Sequence, residues 1–513
     1  MPIIGAILKR SLTLAKKIEQ KLALPASEYQ YKVLRRLIAQ AASTDFGKYY
    51  NFEKLQYSPN LIEDFAKTVP IFDYDRIYDA WWHKSLDCKP DVCWPGTIKY
   101  FALSSGTSGS SSKYIPITTD MQRSMRRAAL KMTFCLTNFD FPPHLYTKDM
   151  LMIGGSSDLI DKGGYYVGDL SGINAKEPPF WLKNYYRPGS NIAKINDWED
   201  RINEIAKHAL DWDVAVLTGI PSWVQLTIER IIEYHKLNNI HEIWPNLSMF
   251  VHGGVAFEPY RGRFEKMMTK PLVNMDTYLA SEGFIAFQRR PDTEAMALVL
   301  NNAIYYEFIP FNSDNFDGDG ELKPEAKAVQ LSEVKLGEEY AIILSTCAGA
   351  WRYLIGDVIR FTDLANNEII LTGRTKHFLS ICGEHLSVNN MNHAIIATQR
   401  LLDVDVPEFT VYGVKSGNYF AHKWYIGSDS GIDEGLFAKT LDEQLQLIND
   451  DYRTERGSVL HSIQVQVIPT QIFYKWLEAK GKVGQSKVPR VMSESKIQEW
   501  EQFIKSSPIK III

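Results

Sequence analysis

Cysteine is scarce in this chain, with five residues in 513, at positions 88, 93, 135, 347 and 382. An odd, scattered set is no disulfide framework, and Cys88 with Cys93, the one close pair, lacks the second pair a tetrahedral zinc site needs. Such thiols suit a reducing, cytoplasmic compartment. Net charge is nearly absent too, with 57 Lys and Arg against 61 Asp and Glu. So even a balance gives no overall field to draw in nucleic acid or an anionic membrane. No uncharged apolar run reaches the roughly 18 residues of a bilayer span. No Gly-Lys-[Ser/Thr] sequence opens a helix as in a Walker loop, and the Gly-x-Ser-x-Gly elbow of a serine hydrolase is missing. Internal repeats and low-complexity tracts are also lacking.

The opening stretch MPIIGAILKRSLTLAKKIEQKLALP does not read as an export signal, because Lys9 and Arg10 break its apolar run. It reads as an amphipathic helix packing on the body of the protein. Material for a core is ample, with 45% hydrophobic residues including 12 Trp, 26 Tyr and 24 Phe. At 513 residues the chain exceeds one ordinary core, so a large domain with a smaller one is expected.

The first 70 or so residues are helical in pattern. From about residue 96, short apolar runs bounded by Gly, Ser and Pro alternate with amphipathic stretches: KYFAL, a helix over 120–136, DMLMIGG, AVLTGI, a helix over 224–236, and MFVHGG. That alternation predicts α/β layers. The runs MALVL, AIYYEFIPF, EYAIILST and DVIRF then predict an antiparallel sheet. NSDNFDGDGE between two of them lacks the Glu that would close a calcium loop, Ala326 standing in its place, and reads as a solvated turn. After NNEIILTGRTKHF the pattern restarts: a helix over 389–402, strands EFTVYGV and AHKWYIG, a helix over 433–449, strand SIQVQVI, and a last helix after Pro469. This is an α+β unit of small-domain size. The expected division is 1–373 and 374–513.

Four stretches carry candidate chemistry. FALSSGTSGSSSKYIPIT places hydroxyls and Gly between two β-like runs, ending on Lys113. Glycine lets consecutive N–H groups converge on one point, hydroxyls add donors, and Lys supplies a charge, so the segment suits a polyphosphate; the alternative is a flexible linker. NMDTYLASEGF puts Glu282 after the small pair Ala280-Ser281, where its carboxylate is either a Mg²⁺ ligand or an ordinary surface group. In AWRYLIGDVIRF, Asp357 follows Gly356 at a strand start. It can accept ribose hydroxyls, or pair with Arg352 or Arg360 to hold a turn. In TGRTKHF, Arg374 either reaches a nucleotide or decorates a linker.

The order SSGTSGSSSK, YLASE, WRYLIGD, then GR before a C-terminal α+β unit resembles the firefly-luciferase superfamily of adenylating enzymes. More closely it is similar to the Gretchen Hagen family of acyl-acid amido synthetases, over nearly the whole chain. TDFGKYYNF, FAKTVPIFDYDRIYDAW and the late GQSKVPR add to the likeness. The resemblance implies an α/β fold with an α+β C-terminal domain: a large luciferase-like N-terminal domain and a small mobile one that rotates over the site. It implies ATP and Mg²⁺, with a small carboxylic acid and an amino acid as substrates. By the same resemblance, Ser104, Ser105, Gly106, Thr107 and Ser108 line the phosphate loop, with Lys113 at its end. Tyr278, Ala280, Ser281 and Glu282 form the adenine and metal side. Tyr353, Gly356 and Asp357 form the ribose side, and Arg374 opens the hinge. One departure stands out. Family members carry Lys where GEHL puts His385, so a cationic role there falls to His385 or to Lys487. The expected activity is acyl-adenylate formation followed by amide formation. An acyl-CoA ligase and a non-catalytic nucleotide-binding protein are the alternatives.

Overall fold

The computed structural model describes residues 2–104, 113–139, 141–176, 183–255, 257–317, 320–375, 378–379, 384, 386–416, 419–449, 452–453, 456, 460–480, 487–492 and 494–506. Helices α1 (Pro2–Lys21) and α2 (Ala26–Ala41) come first. α2 turns Leu34, Leu37, Ile38 and Ala41 into the core, the i, i+3, i+4, i+7 spacing of a one-sided helix. Strands β1 (Tyr100–Ser104) and β2 (Lys113–Ile117) then pair antiparallel, with Ser104 opposite Lys113. After α3 (Thr119–Cys135), whose N-terminus the Thr118 hydroxyl caps, β3 (Asp149–Ile153) enters a second sheet. β4 (Ile160–Asp161) and β5 (Tyr166–Gly168) return to the first.

The second sheet continues through β6 (Tyr186–Arg187), α4 (Trp198–His208), β7 (Val214–Gly219), α5 (Pro221–His235) and β8 (Met249–Gly253). There follow β9 (Val273–Ala280), β10 (Gly283–Phe287), β11 (Met296–Leu298), β12 (Ile304–Pro310), β13 (Glu339–Thr346), β14 (Tyr353–Asp363) and β15 (Glu368–Arg374). Among the described residues it has eleven strands, in the order β12-β13-β14-β15-β11-β10-β9-β8-β7-β3-β6. From β6 to β9 neighbours run parallel; from β9 to β12 they run antiparallel. The α/β pattern and the later antiparallel pattern are therefore two halves of one sheet, and β9 is where they meet. Strands β13 and β12 are buried on both faces along most of their length, which explains their near-continuous apolar runs.

The C-terminal part begins with a short ladder, β16 (Phe378–Leu379) against β17 (Leu386–Ser387). Helix α6 (Val388–Leu402) starts on a capping box made by Ser387 and Asn390. β18 (Glu408–Ser416), β19 (Tyr419–Gly427) and β20 (Leu460–Ile468) form a three-stranded sheet, with α7 (Glu434–Ile448) between the last two. Beyond Pro469 the expected single helix is two, α8 (Thr470–Ala479) and α9 (Glu494–Ser506). One apolar cluster belongs to this unit alone, with Phe409, Trp424, Phe437 and Leu441 at its centre. Another is shared with the body and joins Trp223, Phe250 and Tyr260 to Phe473, Trp476 and Trp500. Among the described residues no helix is long and apolar enough to cross a membrane.

Candidate active site

In an α/β sheet, ligands collect at the carboxyl ends of parallel strands, where the topology changes direction. Here that place is the end of β9. Ala280 and Gly283 pair directly, so Ser281 and Glu282 make a two-residue turn, and Tyr278 lies just before it. Of the two readings of Glu282, the ordinary surface group is not what the fold gives: the residue is 7% exposed. Burial pushes its carboxyl up to about 7; the nearby Asp357 adds to the rise, while the charges of Lys113 and Arg374 oppose it. Four groups from separate stretches of sequence thus act on one another here.

Asp357 arrives from β14. The strand begins at Tyr353, so Asp357 lies within it and not at its start. Pairing with β13 slips between Leu354 and Val358, a bulge containing Gly356 at φ 88, a backbone conformation that favours glycine. The bulge re-aims Asp357. On the other side β15 places Arg374 directly opposite. Arg374 Nε donates to Asp357 Oδ1 at 2.6 Å, and the Tyr278 hydroxyl donates to Oδ2 at 2.5 Å. Asp357 raises the Arg374 guanidinium above its ordinary range, and burial followed by Asp357 raises the Tyr278 phenol. Each oxygen keeps a further lone pair for a ligand hydroxyl.

The partners proposed for Asp357 from sequence, Arg352 and Arg360, are not used. Arg352 is buried, makes two hydrogen bonds to Glu307 at 2.8 and 2.9 Å, and donates to the Ala66 and Val69 carbonyls. It ties the N-terminal segment to the sheet. That segment also runs along β14, with Phe72 bridging Tyr353. It brings Tyr74, whose hydroxyl accepts the Tyr114 N–H at 2.8 Å and whose ring lies under the Lys113 ammonium at 5.1 Å. Tyr353 is buried against Trp82.

The C-terminal part contributes Lys487. Its Cε and Nζ lie 3.1 and 3.2 Å from where a Cβ on Gly254 would stand, in the loop that follows β8. Gly254 has φ +85, so a side chain there is disfavoured on both counts. Desolvation lowers the Lys487 ammonium to about 8; the Arg374 charge lowers it further, and Asp357 and Asp276 oppose the drop. The side chain keeps an exposed surface although protein surrounds it. Lys487 thus lies on a cleft wall, where water reaches the ammonium and moderates its desolvation.

The structure therefore brings together Lys113, Tyr278, Glu282, Tyr353, Asp357, Arg374 and Lys487. Ser104 ends the strand opposite Lys113. Ser105, Gly106, Thr107, Ser108 and His385 lie outside the described residues. Gly254 and Asp276 were not singled out in the sequence; the Gly-Gly pair after an apolar run was a usable signal for the first, and nothing marked the second. Arg123, Arg126 and Arg127 on α3 are all exposed, and Arg123 pairs with Asp120. A small pocket lined by Gly154, Ser171, Tyr186, Trp198 and Arg201 contains none of the site residues, and its volume of about 20 Å³ suits a single water.

A buried carboxyl, a carboxylate gripped by Tyr and Arg, and two lysines thus meet beyond the end of β9. The fold matches a solved structure of GH3.15 acyl acid amido synthetase with a TM-score of 0.78, covering 97% of both chains at 18% identity. Models of the GH3 family match in sequence order: its N-terminal domain over residues 15–191 and 161–272, its central domain over 297–371, and its C-terminal domain over 389–496. The chain belongs to the GH3 family. It is 28% identical to indole-3-acetic acid-amido synthetase GH3.2 of Arabidopsis thaliana over 86% of this chain and 92% of that one. It is 33% identical to jasmonoyl-L-amino acid synthetase JAR4 of Nicotiana attenuata over 75% of this chain and 76% of that one.

Proposed function

We propose that this protein is an ATP-dependent acyl-acid amido synthetase that activates a small carboxylic acid as its acyl-adenylate and passes the acyl group to the amine of an amino acid. The observation that carries this is the grip of Tyr278 and Arg374 on Asp357 beside Glu282, at the strand ends reached by both Lys113 and Lys487. The relatives, named as synthetases of indole-3-acetyl and jasmonoyl amides, support the same class of chemistry.

In the first step a carboxylate oxygen of the acid attacks the α-phosphorus of ATP, the bond to the β-phosphate bridging oxygen breaks, and pyrophosphate leaves. Both reactants are anionic, so cations must offset their repulsion. Lys113, at the end of the hydroxyl-rich segment from Ser104 to Ser108, is placed for the phosphates. Lys487 approaches from the other side, with His385 the second candidate for that charge. Asp357 holds the ribose hydroxyls, Tyr278 and Arg374 holding Asp357 in turn. Tyr278, Ala280 and Ser281 form the wall on the adenine side, and Tyr353 backs the ribose. In the second step the amine nitrogen attacks the acyl carbon, the bond to the AMP oxygen breaks, and the nitrogen loses a proton.

A divalent cation fits this site in one way. Among the described residues there is no group of three or more His, Cys, Asp or Glu that could cage a metal. Mg²⁺ needs no such cage, because it pairs one carboxylate with substrate phosphates and waters. Glu282 is that carboxylate, and the ion would supply charge neutralisation on the phosphates. We further propose the division at residue 374, with the C-terminal part rotating between the two steps to exclude water first and admit the amine second.

The deciding assay is pyrophosphate release from ATP across a set of carboxylic acids, with amino acids or coenzyme A supplied. Acid-dependent release with AMP and an amide as products is expected. A thioester and no amide would make the protein an acyl-CoA ligase, and no acid-dependent release would leave only nucleotide binding.

A further inference from the structure

Helix α1 docks the wrong way round for an amphipathic helix on a protein surface. Gly5 is buried, and a Cβ there would lie 1.9 Å from the Pro143 carbonyl oxygen, so the helix backbone rests directly on that segment. Lys9 donates to the Phe141 carbonyl at 2.7 Å, Lys16 donates to the Asn138 side chain, and Glu19 pairs with Lys131 at 3.0 Å. Positions 5, 9, 16 and 19 share one helical face with the half-buried Leu12, and that mainly small and polar face is the one turned inward.

The outward face carries the aliphatics. Ile3 is 75% exposed, Ile7 60%, Leu14 60% and Ile18 50%, with Ile4 and Leu8 also exposed beside them. At about 100° per residue these side chains fall in an arc of roughly 140°. Arg10, Lys17 and Lys21 lie along one border of that arc, all exposed, and among the described residues none has an acidic partner. A contiguous aliphatic strip on a soluble surface marks a contact site, since its exposure to water is unfavourable.

We infer that α1 is an interfacial helix that lies in the plane of an anionic lipid surface. The charge decides between occupants. The exposed charges of the segment 2–21 are Arg10, Lys17 and Lys21, three cations and no acid, in a chain whose net charge is -4, so the balance that gives the whole protein no attraction for such a surface does not hold here. Aliphatics sunk at the headgroup boundary with a row of basic side chains at headgroup level is the geometry of helices that lie on a bilayer. A second copy of the chain is disfavoured, because antiparallel pairing through the strip sets both cation rows on the same side. α1 does not cross the membrane. It presses against it, leaving the catalytic cleft to the rest of the chain.

The full chain is mixed with phosphatidylcholine vesicles containing roughly one third phosphatidylglycerol, or with pure phosphatidylcholine vesicles, and sedimented. Binding to the anionic vesicles, weakened by salt and absent from the neutral ones, is expected. The triple variant Arg10→Glu, Lys17→Glu, Lys21→Glu should weaken partitioning by about 100-fold or more, at roughly fivefold per removed cation. Leu14→Ser with Ile18→Ser should abolish it. Both variants alter exposed positions and should keep the wild-type circular dichroism spectrum and melting midpoint. Protein that stays in the supernatant with anionic vesicles overturns the inference. So does equal binding to both vesicle types, or a dimer seen by light scattering that the Leu14 and Ile18 changes dissociate without any vesicle binding.

Discussion

Lys487 offers the sharpest test of the proposed chemistry, because the fold moves its titration into an accessible range. Desolvation in the cleft, reinforced by Arg374, brings the ammonium to about 8. Raising the pH from 7 to 9 then lowers its charged fraction by at most about tenfold, the limit reached with the midpoint at about 8, whereas a lysine at the ordinary value of about 10.4 stays charged throughout. The sign follows from the depression. Folding with this lysine in place is favoured above the ordinary lysine value, and that contribution is lost as the pH falls through about 8. For catalysis the requirement is opposite, since the cation is what offsets the phosphates. The measured quantity is kcat/KM for ATP in acid-dependent pyrophosphate release, which reports the free enzyme. It should fall between pH 7 and 9, by up to about tenfold. Lys487→Arg keeps the charge at every pH and should flatten this limb. Lys487→Ala should lower the pH 7 value by roughly 10- to 100-fold, the loss of one charge-assisted contact, and leave no limb. A limb that persists unchanged in Lys487→Arg, or that is missing from the wild type, would refute the reasoning.

Asp357→Asn removes the charged acceptor of Arg374 and Tyr278, and should weaken ATP binding by about 10- to 100-fold in calorimetry while the protein still folds. Unchanged affinity would take Asp357 off the ribose. Glu282→Gln should raise the Mg²⁺ concentration needed for half-maximal pyrophosphate release, and an identical metal response would exclude Glu282 as the ligand. Arg352→Ala strands Glu307, a buried carboxyl whose pKa burial already raises, and should cost about 3–5 kcal/mol in urea unfolding. A loss below about 1 kcal/mol would mean that the pair does not hold the N-terminal segment to the sheet.

Strand and helix positions were legible because they rest on local periodicity, and the order of motifs was legible because it needs no geometry. What the sequence withheld was register and side. Asp357 has Arg352 just before its strand and Arg360 on it, yet its partner is Arg374, because β15 pairs alongside and sets it opposite. Glu282 looks like any turn residue until β9 proves to be the junction of the parallel and antiparallel halves of the sheet, which closes protein around it. The second helix after Pro469 is legible in the helical spacing of Ile497, Trp500 and Ile504, while the irregular GQSKVPR stretch before it hides where one helix ends and the next begins. For α1, periodicity reveals that two faces exist and says nothing of which one docks. Gly5 decides that, through a contact with Pro143 far along the chain.

The placement of Lys487 also bears on the proposed rotation. Residues 487–492 add to the edge of the C-terminal sheet: Val411 N–H donates to the Arg490 carbonyl at 2.9 Å, and Met492 N–H to the Val411 carbonyl at 2.9 Å. Arg490 donates to Glu408 at 2.8 Å, and Glu408 accepts the Tyr260 hydroxyl of the body at 2.7 Å. Arg263 spans the same boundary to Asp405 and Asp429 at 2.8 and 2.7 Å, and Trp223 lies 6.0 Å from the Tyr474 ring. Lys487 is thus carried rigidly by a unit that is seated on the body through buried polar pairs and an apolar cluster. Separating them exposes several large side chains, each worth about 1.5–3 kcal/mol when fully buried. Thermal motion alone will populate such an opening rarely, so it must be driven by a difference in affinity between the two arrangements. Under the proposed mechanism the seated arrangement, with Lys487 in the cleft, is then the resting one and serves adenylation without rearrangement. Under that mechanism the departure of pyrophosphate cannot by itself unseat the unit, since the seated arrangement needs no anion; opening would have to be driven by a ligand, such as the amine, that binds the opened arrangement better.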